Sequence, residues 1–187
     1  MSFQTYQEVL TCGATDGPTL TAAARASCIP VANRIVLPNG YFYIGRALRI
    51  QMSGRVSCAV TTPGTFRLDI CLGSAGTTIV YDTAALNLNI VAKTTIPWYF
   101  DCTLVCRAVG TGTTTTFFPM AWVQSEGIVG APLPSAGGNG SLLAPVGTPA
   151  VGAGMDNTAA SALDVFFTQT VATGSFTVHN YLVTSLN

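Results

Sequence analysis

The stretch from Gly45 to Gly73 constrains the fold more than any other part of the chain. It reads GRALRIQMSGRVSCAVTTPGTFRLDICLG. Leu48, Ile50 and Met52 alternate with Arg49 and Gln51. Beyond Thr62-Pro63-Gly64, Phe66, Leu68, Ile70 and Leu72 alternate with Arg67, Asp69 and Cys71. A period of two on both sides of a Pro-Gly turn predicts a half-buried antiparallel hairpin. Its apolar half needs a second sheet to cover it, so the expected architecture is a β-sandwich or barrel.

The rest of the chain repeats the pattern. Asn33 to Val36 is a short strand, ended by Leu37-Pro38-Asn39-Gly40. Gly54 interrupts the opening strand and predicts a bulge or bend there. Gly76 to Asp82 is another short strand, and Ala84 to Val91 a connection. Thr94 to Arg107 is the clearest strand, with Trp98, Phe100, Cys102, Leu104 and Cys106 on one face. Thr113 to Val123 returns with Phe118, Met120 and Trp122 on one side, and Pro119 predicts an edge or bulge. Ala162 to Val171 and Ser175 to Leu186 close the chain; the phase of the last strand slips near Asn180, which a bulge would resolve. Some eight or nine short strands with no convincing helix predict an all-β antiparallel sandwich.

Two segments fall outside the pattern. Residues 1–30 read as an extended N-terminal arm. Ala22 to Ala26 is helical by propensity, but the run is too short to hold alone and Pro18 and Pro30 bracket it. Residues 125–156 read as a long loop rich in Gly, Pro, Ala and Ser, the kind of loop that serves a function. The remainder, residues 31–187, is expected to be a single sandwich domain with a sizeable core.

Composition narrows the function. Charged residues are 9% of the 187, against about 25% in ordinary soluble chains. Hydrophobic residues are 49% and mean hydropathy is +0.46. The longest uncharged run, Gly127 to Met155, holds four prolines, so no membrane helix is expected. Met1-Ser2-Phe3-Gln4 lacks the basic start of a signal peptide, which points to synthesis in a cytoplasm. Eight basic residues balance eight acidic ones, so nothing favours nucleic acid. So low a charge suits a surface covered by neighbours better than a free monomer. Both a covered surface and one solvated by Thr, Ser, Asn and Gly remain open.

The chemistry of catalysis is thinly represented. Six cysteines without a secretion signal read as free thiols. Cys102 and Cys106 share a strand face about 13 Å apart, too far for one disulfide or one metal. His179 is the single histidine, which leaves a multi-histidine metal site without ligands. No G-x-S-x-G occurs to support a Ser-His-Asp site with Asp164 or Asp101. Gly137-Gly138-Asn139-Gly140-Ser141 is a loop tip, with no Lys or helix after it to make a phosphate cradle. The carboxylates Asp69, Asp82, Asp101 and Glu126 are scattered, and Asp69 with Arg67 and Asp101 with Arg107 read as outward surface pairs. Trp98 and Trp122 could stack on sugars, but both lie in phase with apolar neighbours and read as core. No catalytic residue, cofactor or metal is therefore expected.

Several segments carry a likeness, in the same order over most of the chain. These are Leu37-Pro38-Asn39-Gly40-Tyr41-Phe42 with Ile44 to Ile50, Thr62-Pro63-Gly64-Thr65, and Trp98 to Ala108. Asp156 to Ala160 with Ala162-Leu163-Asp164, and His179 to Leu186, continue it. The chain resembles the jelly-roll decoration proteins of tailed-bacteriophage virions. The resemblance implies a jelly-roll-like, non-enzymatic capsid decoration (cement) protein, commonly a homotrimer, bound to the major capsid protein on the virion surface. It would be made in the bacterial host cytoplasm, with neither nucleic acid nor membrane as partner. The expected contact elements are the arm, Met1 to Pro30, and the long loop, Ser125 to Met155; on the arm they are Phe3, Tyr6, Val9 and Leu10, which could add a strand to a neighbour's sheet. The alternative is a head-fibre or tail-tip module that binds host glycan. An enzyme is the third reading and would need a carboxylate pair that spacing does not reveal.

Overall fold

The computed structural model describes residues 7–59, 62–73, 76–130, 140–145, 150–152 and 154–186. In chain order the strands are β1 (Gln7–Cys12), β2 (Arg25–Ser27), β3 (Ile35–Leu37), β4 (Ala47–Cys58), β5 (Thr65–Leu72), β6 (Ile79–Asp82) and β7 (Leu86–Leu88). They continue as β8 (Lys93–Ala108), β9 (Thr116–Gln124), β10 (Ile128–Gly130), β11 (Ser141–Ala144), β12 (Ser161–Gln169) and β13 (Ser175–Leu186). A 3-10 turn, Val31–Asn33, lies between β2 and β3. One sheet has six strands in the order β1-β13-β4-β8-β9-β11. The other has seven, ordered β10-β7-β5-β12-β2, with β3 on β12 and β6 on β5. All pairs are antiparallel. The result is an all-β, jelly-roll-like sandwich.

The expected hairpin between Gly45 and Gly73 does not form. β4 pairs with β8 and β13 in the six-stranded sheet, while β5 pairs with β12, β7 and β6 in the other. The apolar residues of both strands do face the core: Leu48, Ile50 and Met52 are buried, and so are Phe66, Leu68, Ile70 and Leu72. Alternation reports which face of a strand is apolar, not which strand lies beside it. Here the segment around Thr62-Pro63-Gly64 crosses from one sheet to the other, so the two apolar faces meet across the core.

That core is strongly aromatic. The Phe167 and Phe176 rings stack at 3.9 Å, and Trp98 stacks on Phe176 at 4.6 Å. Phe66 meets Trp98, Phe167 and Phe176 edge-on at 6.1, 5.3 and 5.5 Å. These four residues come from β5, β8, β12 and β13, two strands from each sheet. Burying such rings is the main force holding the sheets together.

The irregularities near Gly54 and Asn180 are one feature. The β13–β4 register shifts between Val178 and Asn180, leaving His179 as the extra residue of a bulge opposite Gly54 and Ser53. A Cβ on Gly54 would stand 1.9 Å from the Thr177 carbonyl oxygen, so only glycine lets the strands approach there. After the bulge the strand changes phase, and Tyr181 and Val183 point into the core.

From residue 7 the segment expected as an arm lies on the sandwich. β1 is the terminal strand of the six-stranded sheet against β13, and β2 pairs with β12. Cys28 and Ile29 belong to the core, at 0% and 1% exposure. Residues 22–26 contain no helix; Arg25 and Ala26 are already in β2. The long loop, residues 125–156, carries β10 and β11 and returns to the fold through Met155, which bridges to Thr115.

The six cysteines are free. Cys12 is exposed and the other five are buried. Burial pushes the Cys71 thiol up to about 12 and raises Cys28, Cys58, Cys102 and Cys106 as well. Thiolate is the reactive form, so the native protein is expected to react with a chromogenic disulfide reagent at Cys12 alone. The remaining five should appear only on unfolding. Rapid titration of more than one thiol in the native state would contradict this arrangement.

Candidate functional site

The outer face of the six-stranded sheet draws together exposed groups from several strands. Strand register sets its rows. Cys12, Leu182, Gln51, Asp101, Trp122 and Leu143 lie side by side on successive strands. The neighbouring row is Val9, Thr184, Arg49, Thr103 and Met120. Residues on one face recur every second position, so each row is a line across the sheet about 4.8 Å per strand.

Trp122 corrects the expectation that it packs in the core. It is 44% exposed, with Met120 at 37% and Leu143 at 68% beside it. The inward stripe of β9 is Phe117, Pro119, Ala121 and Val123. In-phase apolar neighbours at Phe118 and Met120 suggest an inward stripe, but the opposite phase is apolar throughout as well, and it is the one that faces in. Trp98 does sit in the core, at 2% exposure. Among the described residues β11 pairs only with Ala121 to Gln124, so no ladder there asks Pro119 for an N–H.

Asp101 is the centre of a polar network beside Trp122. Arg49 grips it with two hydrogen bonds, Nε to Oδ1 at 2.9 Å and Nη2 to Oδ2 at 2.5 Å. Gln51 Nε2 donates to Asp101 Oδ2 at 3.1 Å and to the Tyr99 hydroxyl at 2.7 Å. That hydroxyl donates in turn to Asp101 Oδ2 at 3.2 Å. The expected partner Arg107 is elsewhere, over the Phe118 ring. The Arg49 hydrogen bond holds the Asp101 carboxyl below the usual carboxylate range, against the opposing effect of burial. A depressed carboxylate contributes stability above its unfolded value, about 3.9, which is lost as pH falls through the folded value. At neutral pH the pair is therefore intact. The Trp122 indole is also fixed, donating from Nε1 to Ser141 Oγ at 2.5 Å with the Tyr99 ring edge-on at 6.3 Å.

Asp69, Asp82 and Glu126 each pair with a basic side chain. Asp69 is not an outward surface group paired with Arg67: it is 1% exposed and bound by Arg25. Arg67 pairs instead with Asp82. Asp69 and Asp82 lie opposite each other across β5 and β6, but each carries its own arginine. Glu126 meets Lys93 at 3.3 Å. His179, in the bulge, meets Asp16 at 2.8 Å. Among the described residues no three His, Cys, Asp or Glu side chains converge as metal ligands.

Of the four expected contact residues, Phe3 and Tyr6 lie outside the described residues. Val9 is 59% exposed on the outer face of β1. Leu10 packs partly against the core. Fold and face together define a weakly charged, antiparallel β-sandwich with one open sheet face and an extended strand at its rim. No known protein family, curated protein or solved structure matches the chain.

Proposed function

We propose that the chain is a non-enzymatic structural protein of a bacteriophage virion, a decoration protein that binds the outside of the capsid shell as a homotrimer. The observation that carries this reading is β1. It ends the six-stranded sheet, is extended, and turns Val9 out to solvent. Among the described residues no strand pairs with its far side. A strand in that position can join the sheet edge of a capsid subunit through backbone hydrogen bonds. The low charge of the chain and the order of its phage-like segments support the same reading.

The work of such a protein is mechanical. It binds the assembled shell and not free subunits, so mass action favours the shell. A trimer touching several capsomers gains further, because its second and third contacts are intramolecular. Outward pressure from packaged DNA is then opposed across each bridged seam.

Removing residues 1–30 would not test this, since it also removes Arg25, Cys28 and Ile29 from the fold. Val9→Asp combined with deletion of residues 1–6 is the cleaner variant. Burying a valine contributes about 1.5–3 kcal/mol, so affinity for purified undecorated capsids should fall about tenfold or more. Thermal stability should stay within a few degrees of the parent. Undiminished capsid binding by this variant would sink the proposal.

The exposed Trp122 face favours host recognition as a second reading. The two readings differ in stoichiometry. Copy number should scale with capsomers for a decoration protein, and with the single tail or the few fibres for a recognition module.

A further inference from the structure

We propose that the outer face of the six-stranded sheet between Gln51 and Trp122 is a binding site for a neutral oligosaccharide. The inference deepens the host-recognition reading but does not depend on where in a particle the chain sits. Pyranose rings present an apolar C–H face and a rim of hydroxyls. They are held by a flat aromatic surface together with fixed planar hydrogen-bonding groups. This face supplies both within two neighbouring rows of the sheet.

The aromatic surface is Trp122. It is 44% exposed, yet anchored by Ser141 and bordered by Tyr99. An anchored ring loses little rotamer freedom when a ligand stacks on it, and its hydrogen-bonding N–H is already satisfied. The planar groups are Arg49 and Gln51, locked to Asp101 and Tyr99. Among the described residues no hydrogen bond engages Arg49 Nη1 or Gln51 Oε1. One donor and one acceptor therefore remain for hydroxyls, held at fixed positions beforehand.

Charge and shape choose the ligand class. Arg49 is matched by Asp101, so the patch offers no spare positive charge to an anionic sugar, a phosphate or a nucleic acid. Gln51 and Trp122 are separated by the strand bearing Asp101, about 10 Å at two strand spacings. A depression of about 340 Å³ lies on the Trp122 side and one of about 370 Å³ on the Gln51 and Tyr99 side. Both are open along the sheet. Such a surface suits an oligosaccharide lying across it better than an enclosed small metabolite.

The two tryptophans make the test direct, because Trp98 is 2% exposed and Trp122 is the accessible one. The full chain is titrated with maltoheptaose, cellohexaose and an isomaltooligosaccharide, with oligogalacturonate as the acidic control. At least one neutral sugar should shift the emission to the blue and shield it from acrylamide, while the acidic control does not. By calorimetry Trp122→Ala should weaken that binding about tenfold or more, and Gln51→Ala by about three- to tenfold. Trp122→Phe should recover part of it. Silence with every neutral sugar overturns the proposal. So does binding unchanged in Trp122→Ala, or a Trp122→Ala protein that loses its oligomeric state in sedimentation, which would give this face to a second copy of the chain. Capsid binding by the Val9→Asp variant is a separate measurement, so either idea can fail without the other.

Discussion

Arg25→Ala is expected to cost about 3–5 kcal/mol of folding free energy, read from urea denaturation. Asp69 is 1% exposed, and its carboxylate lies on the outer side of β5, away from the aromatic core. Arg25 roofs it. Nε meets Oδ2 at 2.9 Å and Nη2 meets Oδ1 at 2.5 Å. Nη2 also donates to the Gly76 carbonyl at 3.1 Å, and the guanidinium sits 3.8 Å over the Phe166 ring. Without Arg25 the carboxylate keeps only a weak contact from the Cys71 thiol at 3.4 Å. Asp69→Ala should cost less, because the Arg25 side chain is 34% exposed and can turn to water. The double variant should cost less than the sum of the two, with a coupling of about 0.5–3 kcal/mol. Arg25→Lys should rescue poorly, since a point charge cannot repeat the two-pronged grip. A single-variant cost for Arg25 no larger than that for Asp69 would mean that water or a neighbour reaches the carboxylate.

This pair also marks the boundary of what the sequence could reveal. The sandwich was legible because alternation survives wherever one strand face is buried, as in β4, β8 and the first half of β13. It failed at β5, where Asp69 and Cys71 alternate as outward residues and are nonetheless buried. Their cover comes from Arg25, some forty positions earlier, and no local pattern encodes so distant a partner. The same limit explains the missing hairpin, since both strands obey the period whichever sheet they join. The bulge at His179 was legible because a phase slip is a local signal, and Gly54 opposite it is another.

The candidate face was legible only in part. Val9 was singled out as an arm contact and is exposed, though on a strand of the chain's own sheet. Trp122 reads as core from the sequence because it lies in phase with apolar neighbours. Phase does not decide this when both stripes are apolar; Phe117 is buried on one and Trp122 open on the other. The Arg49–Asp101 contact joins residues fifty-two apart. It follows from the β4–β8 register, which sequence spacing alone does not supply.

Phe176→Ala is expected to have an effect of similar size by a different route, about 3–5 kcal/mol. Its ring is fully buried, between Phe167 at 3.9 Å and Trp98 at 4.6 Å, with Phe66 edge-on at 5.5 Å. Those partners stand on β5, β8 and β12, so one side chain joins both sheets. Collapse into the gap is opposed on two sides. The Phe176 backbone is held at β4 by pairing with Val56 and at Leu20 by two hydrogen bonds of 2.8 and 2.9 Å. For a chain of this length each kcal/mol moves the melting temperature by about 2–4 °C, so a fall of roughly 10 °C is expected in calorimetry. Trp98 reports the same event, because its indole loses its stacking partner and its emission should change while Trp122 still faces solvent. Phe176→Leu refills much of the space and should recover about half the loss. If Phe176→Ala costs less than about 1 kcal/mol, the sheets can close over the gap, and the aromatic cluster is not what sets their separation.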